Sequence, residues 1–228
     1  MKIVGVLSSP HRNGSTARLF REALRGAKEA GAEVEEIYLP DYTIKYCAGC
    51  QNCLANDECA IKDDLNPLRD KILAADGIIL ASPTYEMDMN AMMKNFLDRI
   101  MPYIGYRSAF RHKYVATIST AGGFGAKKAA KRLTIINMGF HQRGSISGTL
   151  GVQVGWGETD PYLPKAYRLG RKTAEDIRHQ RPYRLQDFVQ KIVFKLFVTK
   201  MMEKMIIANK DKERKSVYLH LKREGLIR

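Results

Sequence analysis

Short apolar runs alternate with helical stretches along residues 2–154, and that alternation limits the folds open to this chain more than any other feature. Lys2–Leu7, Gly77–Ser82 and Tyr114–Ser119 are continuous apolar runs, with Glu33–Leu39 and Ser145–Val154 reading as two further strands. Uninterrupted apolar strands of this length belong to a sheet buried on both faces. Between them, Ala17, Leu19, Phe20, Ala23 and Leu24 recur at helical spacing up to a stop at Gly31. Leu65–Ala75, Ala91–Ile100 and Ala126–Asn137 read as the other connecting helices. Right-handed crossovers then predict an α/β fold, a doubly wound three-layer sandwich with a parallel sheet of order 2-1-3-4-5. Pro83–Met89 is expected to interrupt the third strand.

Pro161 and Pro164 mark the exit from this domain, dividing the chain into residues 1–160 and a helical extension, 161–228. The extension reads as helices near Lys165–Gln180, Leu185–Ala208 and Lys212–Arg223. Its charge sets it apart. Residues 1–160 hold 20 Lys and Arg against 17 Asp and Glu, and residues 161–228 hold 18 against 7, so +11 of the formal +14 lies in the extension. Such asymmetry points to an acidic partner or surface, or serves solubility. The stretch Gln186–Ala208 carries apolar residues over a wide arc, which predicts packing on the domain or a second subunit, with a membrane interface as the rival. The wide apolar arc at 188–207 therefore leads us to expect a homodimer or homotetramer. No window reaches the ~18 uncharged apolar residues of a spanning helix, and Met1 leads straight into a strand without a secretion signal. A cytoplasmic protein is expected.

All four cysteines, Cys47, Cys50, Cys53 and Cys59, fall within thirteen residues, spaced C-x2-C-x2-C-x5-C in a loop spanning 46–62. Runs of this kind hold iron–sulfur clusters, a 4Fe-4S cluster being the leading reading. Zinc, a redox disulfide and free thiols are the alternatives. The intervening Gly49, Gln51, Asn52, Asn56, Asp57 and Glu58 are loop formers rather than core residues. Asp63 and Asp64, which follow, read as caps of the next helix. His11, His112, His141, His179 and His220 are scattered and read as surface or capping residues.

In a sheet of this kind, ligands bind beyond the carboxyl ends of the strands. Three unusual loops fall there. In the first, Ser9, Asn13, Ser15 and Thr16, with the amides of a helix start and Arg12, suit a terminal phosphate. A plain turn capped by Ser15 is the alternative. The second holds Pro83, Thr84 and Tyr85. The third holds Thr120, Ala121, Gly122 and Gly123, small enough for a flat ring to approach the backbone. No G-x-G-x-x-G or Walker pattern is present, which disfavours a dinucleotide. One phosphate cradle beside two ring-contacting loops describes FMN.

With these motifs in view, the chain resembles the iron–sulfur flavoproteins of the flavodoxin-like NAD(P)H-dependent FMN reductase superfamily over roughly residues 1–155. The resemblance rests on Ser9–Thr16, on Ser82–Tyr85 with Lys94–Arg99, on Thr120–Gly123, and on the cysteine run followed by Ile61–Asp64. It implies a three-layer α/β/α flavodoxin-like sandwich. FMN phosphate would sit on Ser9, Arg12, Asn13, Ser15 and Thr16, and the isoalloxazine against Pro83, Thr84, Tyr85, Thr120, Ala121, Gly122 and Gly123. Cys47, Cys50, Cys53 and Cys59 would ligate a 4Fe-4S cluster. Members commonly carry an aromatic and a Gly after the Tyr, where this chain has Glu86 and Met87.

The expected activity is transfer of electrons between a one-electron donor, an acidic carrier of ferredoxin type, and a small-molecule acceptor, with no catalytic side chain required. One alternative is an NAD(P)H-dependent FMN or quinone reductase without a cluster. The other is a binding module whose basic tail docks to nucleic acid or a membrane surface; no nucleic-acid motif supports it.

Overall fold

A computed structural model describes residues 1–141, 144–155, 158–186, 188 and 198–227. Its strands are β1 (Lys2–Leu7), β2 (Glu33–Tyr38), β3 (Gly77–Tyr85), β4 (Asp88–Met89), β5 (Tyr114–Ala121) and β6 (Ser145–Gln153). The five long strands are parallel in the order β2-β1-β3-β5-β6, while β4 folds back on β3 as an antiparallel hairpin. With that hairpin set aside, the order is the expected 2-1-3-4-5. The helices are α1 (Ser15–Glu29), α2 (Asn52–Ala55), α3 (Leu65–Ala74), α4 (Ala91–Ile104), α5 (Ala126–Leu133), α6 (Leu163–Arg178), α7 (Thr199–Ala208) and α8 (Lys215–Arg223).

The two-residue period of β1 sorts its side chains into two cores. Val4 and Val6 join Ile78, Leu80 and Val115 beneath α3 and α4. Ile3 and Leu7 join Ile79 and Ile118 beneath α1 and α6. α1 and α6 meet backbone to backbone: a Cβ on Gly170 would lie 1.7 Å from the Ala23 carbonyl oxygen, and one on Gly26 would lie 2.2 Å from that of Tyr167. Ala166, Leu169 and Ala174 of α6 belong to the same core as α1, so the packing of the sandwich continues through α6.

Two expectations change. Pro83 does not break the third strand, which runs to Tyr85. The β1 partner ends at Ala81, so β3 is an edge on that side beyond it, where a residue without an N–H is tolerated. The helix after β5 stops at Leu133 and tightens into a 3-10 turn over Thr134–Asn137. Three successive β-branched residues, Thr134, Ile135 and Ile136, account for that.

A third, smaller core joins the two ends of the molecule. Leu54 of the cysteine loop packs with Ile206, Val217, Leu221 and Ile227. The basic extension therefore lies over the cysteine loop. The central part of the apolar stretch Gln186–Ala208 lies outside the described residues. No helix among the described residues is long and apolar enough to cross a membrane.

Candidate functional site

Three strand-end loops are tied together by buried polar side chains. Asn90 is the hub: its side-chain amide donates to the Ser8 carbonyl at 2.7 Å, and its amide N–H donates to the Ser82 hydroxyl at 3.0 Å. The same side chain accepts from the Met93 N–H at 3.1 Å, capping α4. The Ser119 hydroxyl donates to the Ser82 carbonyl at 2.8 Å and lies 2.9 Å from the Thr84 hydroxyl. Thr16 and Thr120 hydroxyls pair at 2.6 Å. Loop one is thus joined directly to loop three, and loop two to both.

The residues proposed for a phosphate are brought to one turn, though not all are free. Ser15 does not cap α1; Gly14 does, without any side-chain bond, so the first amides of the helix are open to an anion. Ser9 bonds the backbone of His11. The Asn13 side chain faces Arg21. Arg12 turns outward, pairing with Asp41 at 2.5 Å and lying over the Tyr38 ring. Around the proposed ring position, Tyr85 is half exposed, a Cβ on Gly123 would enter open space, and one on Gly122 would meet only the Gly155 carbonyl oxygen, at 3.7 Å. Glu86 and Met87 form the two-residue turn of the β3–β4 hairpin, with φ of 47° and 68°.

The cysteine loop is gripped from below by two arginines. Arg99, its side chain 1% exposed, pairs with an equally buried Asp63 at 2.8 Å. It also donates to the Lys45 carbonyl and to Cys59 Sγ at 3.2 Å. Burial pushes the Asp63 carboxyl up, but the bonds from Arg99 and from the amides of Lys45 and Leu65 outweigh it and leave it below its ordinary range. Arg107 donates to the Cys53 carbonyl at 2.9 Å and pairs with Asp57 at 3.0 Å. Burial, then the neighbouring Cys59 and Cys47, push the Cys53 thiol up, with Arg107 pulling it down. All four thiols are free; Cys47 and Cys50 are exposed. Among the described residues no three His, Cys, Asp or Glu side chains converge in a ready metal geometry.

Comparison with known proteins gives the family. The model of the NADPH-dependent FMN reductase family matches residues 1–156. The chain belongs to that family. An iron–sulfur flavoprotein of Archaeoglobus fulgidus is 35% identical over 184 residues, which is 77% of this chain and 80% of the relative. A solved flavone reductase is 24% identical with a TM-score of 0.64, over 78% of this chain and 63% of that one. An archaeal flavodoxin is 20% identical with a TM-score of 0.51, over 78% of this chain and all of that one, which places the fold among the flavodoxin-like sandwiches.

This member of the FMN reductase family is an FMN-dependent oxidoreductase. Its loops fit the flavin: uncapped helix amides stand at the phosphate end and two side-chain-free residues at the ring end. Four thiols on one short loop, with Arg99 donating to Cys59 Sγ and Arg107 to the Cys53 carbonyl, are a donor set of the kind an iron–sulfur cluster takes. Sequence reasoning missed Asn90, Arg107 and the part played by Arg99. Asn90 had a signal, an Asn directly before an apolar helix. Arg99 was placed with the ring segment, whereas its side chain serves the cysteine loop. Arg107 had no signal. His141 and His220 are also more enclosed than their scatter implied, the His141 side chain being 4% exposed. Burial pushes both imidazoles below their ordinary value.

Proposed function

We propose that this oxidoreductase binds FMN phosphate through Ser9, Asn13, Ser15 and Thr16 with the first amides of α1. Arg12 joins them on leaving Asp41. The ring lies against Pro83, Thr84, Tyr85, Thr120, Ala121, Gly122 and Gly123, and a 4Fe-4S cluster is held by Cys47, Cys50, Cys53 and Cys59. A bound flavin exchanges electrons singly or in pairs, and a cluster exchanges them singly, so the pair links a one-electron carrier of ferredoxin type to a small acceptor.

The observation that carries this reading is one helix. α4 is capped by Asn90, which fastens two of the strand-end loops, and reaches the cysteine loop at Arg99. At 1.5 Å per residue those contacts lie about 14 Å apart along the axis. In this reading α4 is the element that spaces the flavin site from the cysteine loop. The deciding experiment is anaerobic purification with an absorption spectrum and iron and sulfide assays. We expect bound FMN together with a four-iron cluster, and Cys50→Ser should lose the iron while keeping the flavin. Protein that carries FMN yet stays free of iron after reconstitution would end the cluster assignment.

A second reading, an NAD(P)H-dependent FMN or quinone reductase whose thiols hold no cluster, draws support from the family description, which names NADPH. Rapid mixing with NADPH separates the two, since fast flavin bleaching by NADPH alone belongs to this one.

A further inference from the structure

A cavity of about 500 Å³ lies away from the strand-end loops, roofed by α8 and floored by the chain between Cys53 and Cys59. Volumes of this size accommodate small-molecule ligands. Its walls bring Arg69, Arg107, Lys215 and Arg223 around one concavity, against the carboxylates of Asp57 and Asp70. Arg107, 5% exposed, has its guanidinium fixed by the Pro102 and Cys53 carbonyls, the Ser216 hydroxyl and Asp57. Arg69 pairs with Asp70 at 2.8 Å and donates to the Asp57 carbonyl at 3.1 Å. These two pairs balance each other's charge at the floor. Lys215 and Arg223 have no ion-pair partner among the described residues, and they leave the cavity with two surplus positive charges.

General basicity of the extension does not explain this arrangement. Repulsion between like charges is least when they are spread over a convex solvated face, whereas here two uncompensated cations share one recess with two carboxylate-paired arginines. An anion bridging the rim to the buried arginines removes that repulsion and gains charge-assisted hydrogen bonds. We infer that this cavity is a binding site for a small dianion bearing phosphate or carboxylate groups, seated between the cysteine loop and α8. The ligand would contact Lys215 and Arg223 at the rim and reach Arg107 and Arg69 below. Because those arginines also hold the carbonyls of Cys53 and Asp57, occupancy bears directly on the cysteine loop. The inference rests on the cavity alone and holds whether or not the thiols carry a cluster.

Calorimetric titration of the full-length, FMN-saturated protein tests it, with inorganic phosphate and malonate as separate probes at an ionic strength held constant by NaCl. We expect saturable binding of at least one probe, one per chain, weakened at least tenfold in the Lys215→Gln/Arg223→Gln variant. Both residues are exposed, so circular dichroism and the flavin content of the variant should match the wild type. Binding of phosphate alone assigns a phosphate-bearing ligand, and of malonate alone a dicarboxylate. No saturable heat with either probe, or equal affinity in the variant, overturns the inference; equal affinity would place the anion outside this cavity.

Discussion

Met87 sits at φ 68° in a two-residue hairpin turn, where glycine is the residue without a steric penalty. A side chain in the left-handed region costs about 1–2 kcal/mol. The substitution Met87→Gly should therefore raise unfolding stability by roughly 1 kcal/mol, the gain being trimmed by the added freedom of the unfolded chain. Denaturant titration of the flavin-free protein measures it, and an unchanged or lower midpoint would show that Met87 contributes packing that offsets the strain. Arg99 and Asp63 pose the opposite case, two buried charges that depend on each other. Arg99→Met leaves the carboxylate uncompensated and should cost about 3–5 kcal/mol, whereas the Asp63→Asn/Arg99→Met double variant should recover much of the loss. At this scale the sequence was half legible. Cysteine spacing pointed to a donor set, and the residues between read as loop formers, but which of them, Gln51 and Asp57, take the left-handed conformation is not marked in the sequence.

Helix α6 lies on α1 so closely that neither Gly26 nor Gly170 has room for a methyl group. The substitution Gly170→Ala must push the two helices apart or shift the backbone, at a cost of about 3 kcal/mol or more despite the better helix propensity of alanine. A stability change within 0.5 kcal/mol would mean that the contact relaxes freely. The docking of α7 has a pH dependence of its own. His141 faces Glu203 of α7 at 3.5 Å, and burial holds its pKa below the ordinary 6.5, with Glu203 only partly restoring it. The unfolded chain then takes up the proton first as pH falls. Stability from this residue is complete above pH 6.5 and is lost as the pH drops through that value toward the folded pKa. The variant His141→Gln should accordingly show a shallower fall in Tm than the wild type between pH 7 and 5. Elements were the most legible level of this protein. Period and length identified all five long strands: β1, β3 and β5 are buried on both faces over most of their length and so are nearly apolar throughout, while the edge strands β2 and β6 are partly exposed and carry polar residues. What escaped was set by pairing partners: Pro83 stays in register with Thr120 of β5 while the β1 register has already ended at Ala81.

Across the whole molecule, the uneven charge acquires a position. Residues 161–228 carry the +11 surplus, and their described C-terminal helices pack on Leu54 of the cysteine loop. Charge counts along the sequence disclosed the surplus but not the face, because the contact joins residues more than 150 positions apart and rests on a handful of apolar side chains. Lys200 and Lys204 are exposed positions of α7, the helix whose Ile206 packs on Leu54 of the cysteine loop, and Lys212 is an exposed position just after it. A positive field there raises the encounter rate of an acidic electron carrier and leaves the rate with an uncharged reductant unchanged. Surface charges are screened beyond about 8 Å at physiological ionic strength, so the enhancement should decay steeply with added salt. We expect the second-order rate of flavin reduction by an acidic carrier to fall roughly tenfold or more between low and high salt. The triple variant Lys200→Gln/Lys204→Gln/Lys212→Gln should start slower and show a weaker salt slope, and stopped-flow measurements at several ionic strengths supply both quantities. A rate independent of salt, or a triple variant with the wild-type slope, would detach the basic extension from electron delivery and leave it only the task of covering the cysteine loop.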